Sequence, residues 1–170
     1  MKLTSLCVYC GSSMGTAPAI MAAADRFGGL MAASGVELVY GGGGIGVMGA
    51  LARAVLAEGG KVTGIIPKFL TEVEAGFHEV SELIITDSMH ERKQLMFERS
   101  QAFVALPGGI GTVEETIEML TWAQLGRHSY PIVIEPGGLL DAADRASGPY
   151  HQGGLRTVRH TPDLLGGGQG

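Results

Sequence analysis

The sequence has few charged residues and no excess of basic ones. Charged residues make up 17% of the 170 positions, against roughly 25% in an ordinary globular chain. There are 12 Lys and Arg residues and 17 Asp and Glu residues, so the formal net charge is −5. This sign disfavours a general nucleic-acid-binding protein, which needs a basic surface, but it is compatible with a local site for one phosphate group.

Long apolar runs are also missing, and no targeting segment is expected. No run approaches the roughly 20 apolar residues that a membrane span requires, and Met1–Ser5 lacks the apolar core and cleavage site of a signal peptide. Hydrophobic residues nevertheless make up 45% of the chain, which is enough for a buried core. We therefore expect a soluble cytoplasmic protein that has no membrane partner.

Cysteine is scarce, since the chain has only Cys7 and Cys10. One C-x-x-C pair is too small for a zinc site, so no metal site is expected, although such a pair can be a redox centre. A redox pair usually opens a helix, whereas Leu6–Tyr9 has the apolar pattern of a strand. We interpret the two cysteines as buried thiols beside a first strand, with a redox pair as the alternative.

Short apolar runs rich in Val, Ile and Leu alternate with segments of helical length. This alternation predicts an α/β protein built on a doubly wound parallel sheet with helices on both faces. We expect one domain over residues 1–146 and an irregular tail over residues 147–170, where Gly, His, Arg and Pro predominate. The predicted strands are Leu3–Cys10, Val36–Tyr40, Lys61–Ile66, Glu82–Thr86, Ala102–Leu106 and Pro131–Ile134, and the predicted helices are Ala17–Ala33, Val47–Glu58, Met89–Ser100 and Val113–Leu125.

Glycine is abundant, with 28 residues, and two glycine-rich loops follow predicted strands. The first reads G-x-G-x-x-G at Gly44, Gly46 and Gly49, directly after Gly43, and its place between strand and helix suits a phosphate on backbone N–H groups. A dinucleotide site would also need an acidic residue near the end of the next strand, which instead ends at Ile66–Lys68. NAD(P) binding is therefore the weaker interpretation.

The second loop, Pro107–Thr112, lacks the Gly-Lys-Ser/Thr of a P-loop, so ATP hydrolysis is not expected. Its glycines let the backbone approach an anion, and the Thr112 hydroxyl lies near the predicted start of a helix. Glu114 and Glu115 follow, in what should be the first helical turn. They are either candidates for acid–base chemistry or only favourable charges at a helix N-terminus.

A third strand end carries the segment Asp87–Lys93. Arg92 and Lys93 would supply charge-assisted bonds to an anion if they lie beside the glycine loops, and otherwise belong to a solvated helix face. His90 is more typical of a capping or packing residue than of a catalyst. Taken together, the residues predict a small phosphorylated ligand bound near a carboxylate.

Residues Pro107–Glu115 read PGGIGTVEE and resemble the PGGxGTxxE motif of the Lonely Guy (LOG) family. Members of this family are cytokinin riboside 5′-monophosphate phosphoribohydrolases that were long labelled lysine decarboxylases. Further matching segments occur in family order between about Leu3 and Leu140, namely Cys10–Ser13, Tyr40–Gly49, Ile66–Lys68, Ser88–Lys93 and Thr121–Gly126.

The resemblance implies a Rossmann-like homodimer that hydrolyses the N-glycosidic bond of a cytokinin nucleotide or AMP, releasing the base and ribose 5-phosphate. It implies no metal and no organic cofactor, and it assigns catalysis to Arg92 and Glu115. The first glycine loop, with Gly43, Gly44, Gly46 and Gly49, is a possible additional ligand-binding loop. The implied substrate-binding residues are Glu74, Met89, Lys93, Gly108, Gly109, Ile110, Gly111, Thr112, Val113, Glu114 and Thr121.

The implied chemistry suits the residue types. Cleavage of the C1′–N9 bond passes through an oxocarbenium-like transition state, which Glu115 can stabilise while acting either as a base or as a nucleophile. A nucleotide or cofactor carrier of the same fold is the alternative, since it needs the phosphate loops but not Glu115. A decarboxylase would need pyridoxal phosphate on a lysine, and none of Lys2, Lys61, Lys68 and Lys93 lies in a suggestive setting.

The predicted helix Val113–Leu125 carries more apolar residues than contact with one sheet requires. Large apolar surfaces that remain exposed usually mark interfaces between chains. The sequence therefore predicts a homodimer, as the resemblance also implies, with absorption of these residues by the core of one chain as the alternative. The residues concerned are Ile117, Met119, Leu120, Trp122 and Leu125.

Overall fold

A computed structural model of the chain describes residues 2–13, 18–71, 79–135 and 156–158. Every predicted strand and helix is present in it, with ends that differ by a few residues. The strands are β1 (Ser5–Tyr9), β2 (Glu37–Tyr40), β3 (Val62–Pro67), β4 (Glu82–Thr86), β5 (Phe103–Ala105), β6 (Ile132–Ile134) and β7 (Arg156–Val158), and the helices are α1 (Pro18–Ala33), α2 (Gly46–Ala57), α3 (Lys68–Thr71), α4 (Met89–Glu98) and α5 (Ile110–Gln124).

The strands form one sheet in the order β4-β3-β2-β1-β5-β6-β7. All neighbours from β4 to β6 pair in parallel, which confirms the predicted parallel sheet. The edge strand β7 differs, because it pairs with β6 in the antiparallel sense. This strand lies inside the tail that we expected to be irregular, and the other residues of 147–170 lie outside the described part, so the domain boundary remains a prediction.

Helices cover both faces of the sheet, as predicted. Side chains of β1 alternate between two apolar clusters, since successive residues of a strand point to opposite faces. Leu6 and Val8 pack in the cluster that holds the buried residues of α1 and α2. Cys7 and Tyr9 pack in the cluster that includes Met96 of α4 and Met119 of α5. Among the described helices, none is long and apolar enough to cross a membrane.

The interpretation of the cysteines as buried thiols is confirmed. Cys7 and Cys10 are both buried and unpaired, and they belong to the two different apolar clusters. Burial raises the pKa of both thiols well above the ordinary range. Thiols on opposite faces of a sheet point apart, so the redox-pair alternative is disfavoured.

The strand order reverses next to β1. From β1 the chain proceeds through β2 and β3 to β4 at one edge, and it then returns to β5 on the other side of β1. Connections on the two sides therefore leave in opposite directions and open a crevice at the carboxyl ends of β1 and β5. The two glycine loops and the turn after β1 meet at this end of the sheet.

Candidate active site

A cavity of about 330 Å³ lies at the carboxyl ends of the parallel strands. Its wall combines the turn after β1 with residues from four helices, including the buried pair Arg92 and Glu115. A ligand there is enclosed by several chain segments that are far apart in the sequence. The lining residues are Cys10, Gly11, Ser12, Ser13, Met48, Leu70, Met89, Arg92, Gly109, Ile110, Gly111, Thr112, Glu114 and Glu115.

The first glycine loop packs against the turn after β1, which lines the cavity. Gly46 has a φ of +64°, and a Cβ there would lie 2.6 Å from the carbonyl oxygen of Ser13 and 2.9 Å from that of Gly11. The Met48 N–H donates to the same Gly11 oxygen at 3.2 Å. Close packing thus accounts for the glycine at this position.

The four glycines of this first loop were also considered as ligand contacts, but none of them lines the cavity. Gly43, Gly44, Gly46 and Gly49 are absent from its wall, where Met48 is the residue that α2 contributes. Gly49 is required by the loop itself, since a side chain there would collide with the Gly44 carbonyl oxygen. The G-x-G-x-x-G spacing therefore has a packing role in this structure.

The second glycine loop faces the cavity directly. A Cβ on Gly108 would collide with the Thr112 side chain and would lie 2.9 Å from the Gly11 nitrogen, whose N–H donates to the Pro107 oxygen at 3.1 Å. Gly109 is the N-cap of α5, and no side chain caps this helix in the described structure. The N–H groups at the start of α5 are thus available to an anion in the cavity.

Helix α5 begins three residues earlier than predicted. Its first helical bond runs from the Val113 N–H to the Gly109 oxygen at 3.3 Å, so the helix starts at Ile110 and its first turn contains no acidic residue. The expectation that Glu114 and Glu115 lie in the first turn was wrong. Favourable charge at a helix N-terminus therefore does not explain Glu115, which is buried.

The start of α4 is fixed by side-chain caps, and this orients Arg92. The Ser88 hydroxyl accepts a hydrogen bond from the Glu91 N–H at 3.1 Å, and the Glu91 carboxylate accepts one from the Asp87 N–H at 2.9 Å. Arg92 follows one turn into the helix and points inward, with 7% of its side chain exposed. His90 is exposed and does not line the cavity.

Arg92 and Glu115 form a buried ion pair. Nη2 of Arg92 donates to Oε1 of Glu115 at 2.9 Å, and the Glu115 side chain is 5% exposed. Burial raises the pKa of Glu115 to about 7, while the nearby guanidinium acts in the opposite direction. A carboxyl group with a pKa near neutrality on a cavity wall is suited to exchange a proton or to meet a developing positive charge.

Lys93 lies beside this pair but is engaged elsewhere. Its Nζ is 2.6 Å from Oε1 of Glu114 and 3.1 Å from Oε2 of Glu118. Burial alone would lower the pKa of Lys93, but the hydrogen bonds to the two carboxylates outweigh it and raise the pKa. Lys93 does not line the cavity, so in this structure it joins α4 to α5 instead of facing a ligand.

The other implied site residues are distributed unevenly. Met89, Gly109, Ile110, Gly111, Thr112 and Glu114 line the cavity, whereas Gly108, Val113 and Thr121 do not. The Thr121 hydroxyl donates to the Ile117 oxygen of its own helix at 2.8 Å, on an exposed part of α5. Glu74 lies outside the described residues.

Sequence reasoning assigned no ligand-binding role to six residues of the wall, which are Cys10, Gly11, Ser12, Ser13, Met48 and Leu70. Ser12 and Ser13 belong to the matched segment after β1, so their place at a strand end was a usable signal. Met48 sits just inside the first glycine loop. Leu70 gave no signal, because the short helix α3 that carries it was not predicted.

Comparisons with known proteins identify similar sequences and similar folds. The sequence profile of a family described as "Possible lysine decarboxylase" matches residues 48–139. The chain is 48% identical over 127 residues to a probable cytokinin riboside 5′-monophosphate phosphoribohydrolase of Oryza sativa subsp. japonica, covering 75% of this chain and 57% of that protein. It is 46% identical over 131 residues to a cytokinin riboside 5′-monophosphate phosphoribohydrolase of Rhodococcoides fascians, covering 76% and 66%.

The fold also has solved counterparts. A molybdenum cofactor binding protein of Rippkaea orientalis superposes with a TM-score of 0.63 at 24% identity, covering 79% of this chain and 77% of that one. At this identity the likeness concerns the fold alone. The chain spans less than two thirds of the length of both phosphoribohydrolases, at 57% and 66%.

Proposed function

This chain belongs to the Lonely Guy (LOG) family, and from that premise we propose that it hydrolyses the N-glycosidic bond of cytokinin riboside 5′-monophosphates and of AMP. The products are the free base and ribose 5-phosphate. The observation that carries the proposal is the buried Arg92–Glu115 pair on the wall of a cavity that also contains the uncapped start of α5.

Phosphate binding falls to the start of α5. Gly109–Thr112 line the cavity and no side chain caps their N–H groups in the described structure, and the positive end of the helix dipole favours an anion. Thr112 adds a hydroxyl to the same wall, and Ser12 and Ser13 face it from the turn after β1. A 5′-phosphate held at this point sets the position of the attached ribose.

Glu115 then serves the bond-breaking step. As the C1′–N9 bond lengthens, positive charge develops on the ribose, and a carboxylate close to C1′ stabilises it. The oxygen of a water molecule ends on C1′, and a proton ends on the departing base. Glu115 either takes the proton from that water or first bonds to C1′ itself, and Arg92 holds the carboxylate in place during either route.

The base end of the substrate would meet apolar side chains. Met48, Leu70, Met89 and Ile110 all line the cavity, and Ile110 is 80% exposed. Apolar groups on the wall can accommodate adenine and also an apolar substituent on it. This composition supports both AMP and prenylated AMP as substrates.

Two other activities receive less support. A carrier of the same fold needs a phosphate site but gains nothing from a buried glutamate, since burying an ion pair is costly. A pyridoxal-phosphate decarboxylase needs a lysine at its site. The chain has four lysines, Lys2, Lys61, Lys68 and Lys93, all within the described ranges, and none of them lines the cavity.

We also propose that the protein works as a cytoplasmic homodimer. The unpaired thiols Cys7 and Cys10 suit a reducing compartment. Three apolar side chains on one side of α5 remain exposed, Ile110 at 80%, Ile117 at 51% and Leu125 at 70%. A second copy that covered this side would remove the apolar surface from water.

The test is incubation of the purified protein with AMP and with isopentenyl-AMP, followed by chromatography of the base and of ribose 5-phosphate. Release of both products in equal amounts is the expected result. Stoichiometric binding of the nucleotide without release of base would support the carrier and would overturn the hydrolase.

A further inference from the structure

We infer that Gly41 is a positioning residue for Arg92. Its missing side chain, directly after β2, leaves the space in which the guanidinium lies beside Glu115. The inference rests on the proposed hydrolase for its effect on turnover, although the contact itself is independent of that function.

The space at Gly41 is occupied by Arg92. A Cβ on residue 41 would lie 2.5 Å from Nη2 and 3.3 Å from Cζ of Arg92, and 3.1 Å from Cε of Met48, where ordinary contact begins at 3.4 Å. Gly41 itself is buried. The guanidinium thus rests against the Gly41 backbone at the same nitrogen that donates to Glu115.

Backbone conformation does not require glycine at this position. Gly41 is not one of the described glycines with a positive φ, so alanine can adopt its backbone geometry without strain. The neighbours of its added methyl group would be the ends of two side chains. Gly46 differs, since a Cβ there would meet carbonyl oxygens. Substitution of Gly41 therefore displaces a side chain and spares the loop.

Few other contacts hold the guanidinium. Nη1 lies 3.9 Å from the Met89 sulfur, which is a weak acceptor. Nε has no hydrogen-bond partner among the described residues. The direction of the guanidinium therefore depends on the Glu115 carboxylate and on the shape of the space beside Gly41. A methyl group in that space would push Nη2 away from Oε1 and leave Glu115 buried without its cation.

The experiment compares Gly41→Ala with Gly29→Ala. Gly29 lies in α1, where the described atom outside the helix that lies near an added Cβ is Glu58 Cγ at 4.0 Å. Misplacement of a catalytic group by about 1 Å costs on the order of 10²-fold in rate, so we expect Gly41→Ala to lower kcat for AMP by that order while KM changes less. Gly29→Ala should keep the wild-type rate, and both variants should keep the wild-type circular dichroism.

A second readout does not depend on turnover. Carbon-13 NMR of labelled glutamate follows the titration of Glu115, and both Gly41→Ala and Arg92→Ala should move its midpoint to higher pH, because Arg92 lowers the pKa of Glu115. If the wild type releases no base, the proposed hydrolase fails, and this midpoint still decides the inference. A Gly41→Ala variant with the wild-type rate and the wild-type midpoint would overturn it.

The double variant Gly41→Ala/Arg92→Ala covers the case in which Gly41→Ala fails to fold. Without the guanidinium the methyl group has room, so the double variant should unfold at the same urea concentration as Arg92→Ala. It should also show the same rate and the same Glu115 midpoint as Arg92→Ala. A double variant that is clearly less stable than Arg92→Ala would show that the backbone needs glycine there, and the positioning role would be wrong.

Discussion

Glu115 and Arg92 are the residues whose burial needs an explanation. Removing both charges from water costs several kcal/mol, and an apolar pair of the same size often stabilises a protein more. The pair nevertheless lies on a cavity wall with side chains that are only 5% and 7% exposed. Chemistry in the cavity explains this arrangement better than stability does.

At this scale we predict that Glu115→Gln mainly lowers kcat. The carboxylate meets a charge that exists only in the transition state, so its loss should cost on the order of 10²–10³-fold with little change in KM. Arg92→Ala should weaken binding as well as turnover, because the guanidinium also lies on the cavity wall before reaction. Steady-state kinetics of base release measure both effects, with circular dichroism to control for folding. A folded Glu115→Gln variant that is as fast as wild type would contradict the assignment.

The pH dependence should report the same carboxyl group. Burial raises the pKa of Glu115 to about 7, and the ionised form is the one that stabilises positive charge, so kcat/KM should rise with pH up to about 7 and then level off. The phosphate of the substrate titrates near pH 6, so the profile must be compared with that of Glu115→Gln. The rise in kcat/KM near pH 7 should be absent from Glu115→Gln. A rise that persists in this variant would show that another group titrates near pH 7.

The raised pKa of Glu115 also makes the free energy of unfolding depend on pH. Glu115 binds its proton more tightly in the folded protein than in the unfolded one. The free energy of unfolding contributed by this group therefore falls as pH rises from the ordinary carboxyl range to about 7.

At the scale of elements, Lys93 ties α4 to α5. Its side chain is 12% exposed and contacts two carboxylates of α5. We predict that Lys93→Met lowers the free energy of unfolding by about 1–2 kcal/mol, because the largely buried lysine loses its charged contacts to Glu114 and Glu118. The matched control is Lys61→Met, whose ion pair with Glu37 has a lysine side chain that is 59% exposed. An exposed pair of this kind contributes less than about 1 kcal/mol.

Urea unfolding of the two lysine variants separates the two roles considered for Lys93. A larger loss for Lys93→Met than for Lys61→Met supports a bridge between helices. The resemblance implied a phosphate contact instead, and in that case Lys93→Met would raise KM and leave the free energy of unfolding unchanged.

For the whole molecule, the homodimer is the next prediction. Light scattering at micromolar concentration should give twice the mass of the 17.7 kDa chain. Ile117→Asp should lower that mass, since it places a charge on the exposed apolar side of α5. The control is Leu30→Asp, which places the same charge on an apolar side chain of α1 that is 65% exposed. A monomer mass for the wild-type chain would refute the dimer.

The tail gives the last prediction. Deletion of residues 147–170 should lower the free energy of unfolding by about 1 kcal/mol, equivalent to roughly 2–4 °C in Tm. The tail has few apolar residues, although its strand β7 pairs with β6 at the edge of the sheet. Thermal unfolding of the shortened chain measures the effect. If truncation after Ala146 abolished soluble protein, the tail would instead be needed to complete the fold.

The sequence by itself determined the elements of this protein apart from α3 and β7, and it predicted the kind of ligand. Alternating apolar runs specify buried parallel strands, because such strands are covered on both faces. The glycine loops and the acid that follows them indicated a phosphorylated ligand near a carboxylate. These signals lie within short segments, where backbone preference and apolar spacing act without the rest of the chain.

Only the tertiary structure decided which of these residues meet. Arg92 and Glu115 are 23 positions apart, and their contact depends on the strand order and on the caps that orient α4. The same holds for the place of Gly41 against Arg92, for Leu70 on the cavity wall and for Lys93 between two carboxylates of α5. The start of α5 at Ile110 was also not predictable from local sequence, because the glycine residues at this position disfavour a helix. Local patterns carry no information on such contacts, because each contact depends on how separate segments pack against one another across the sheet.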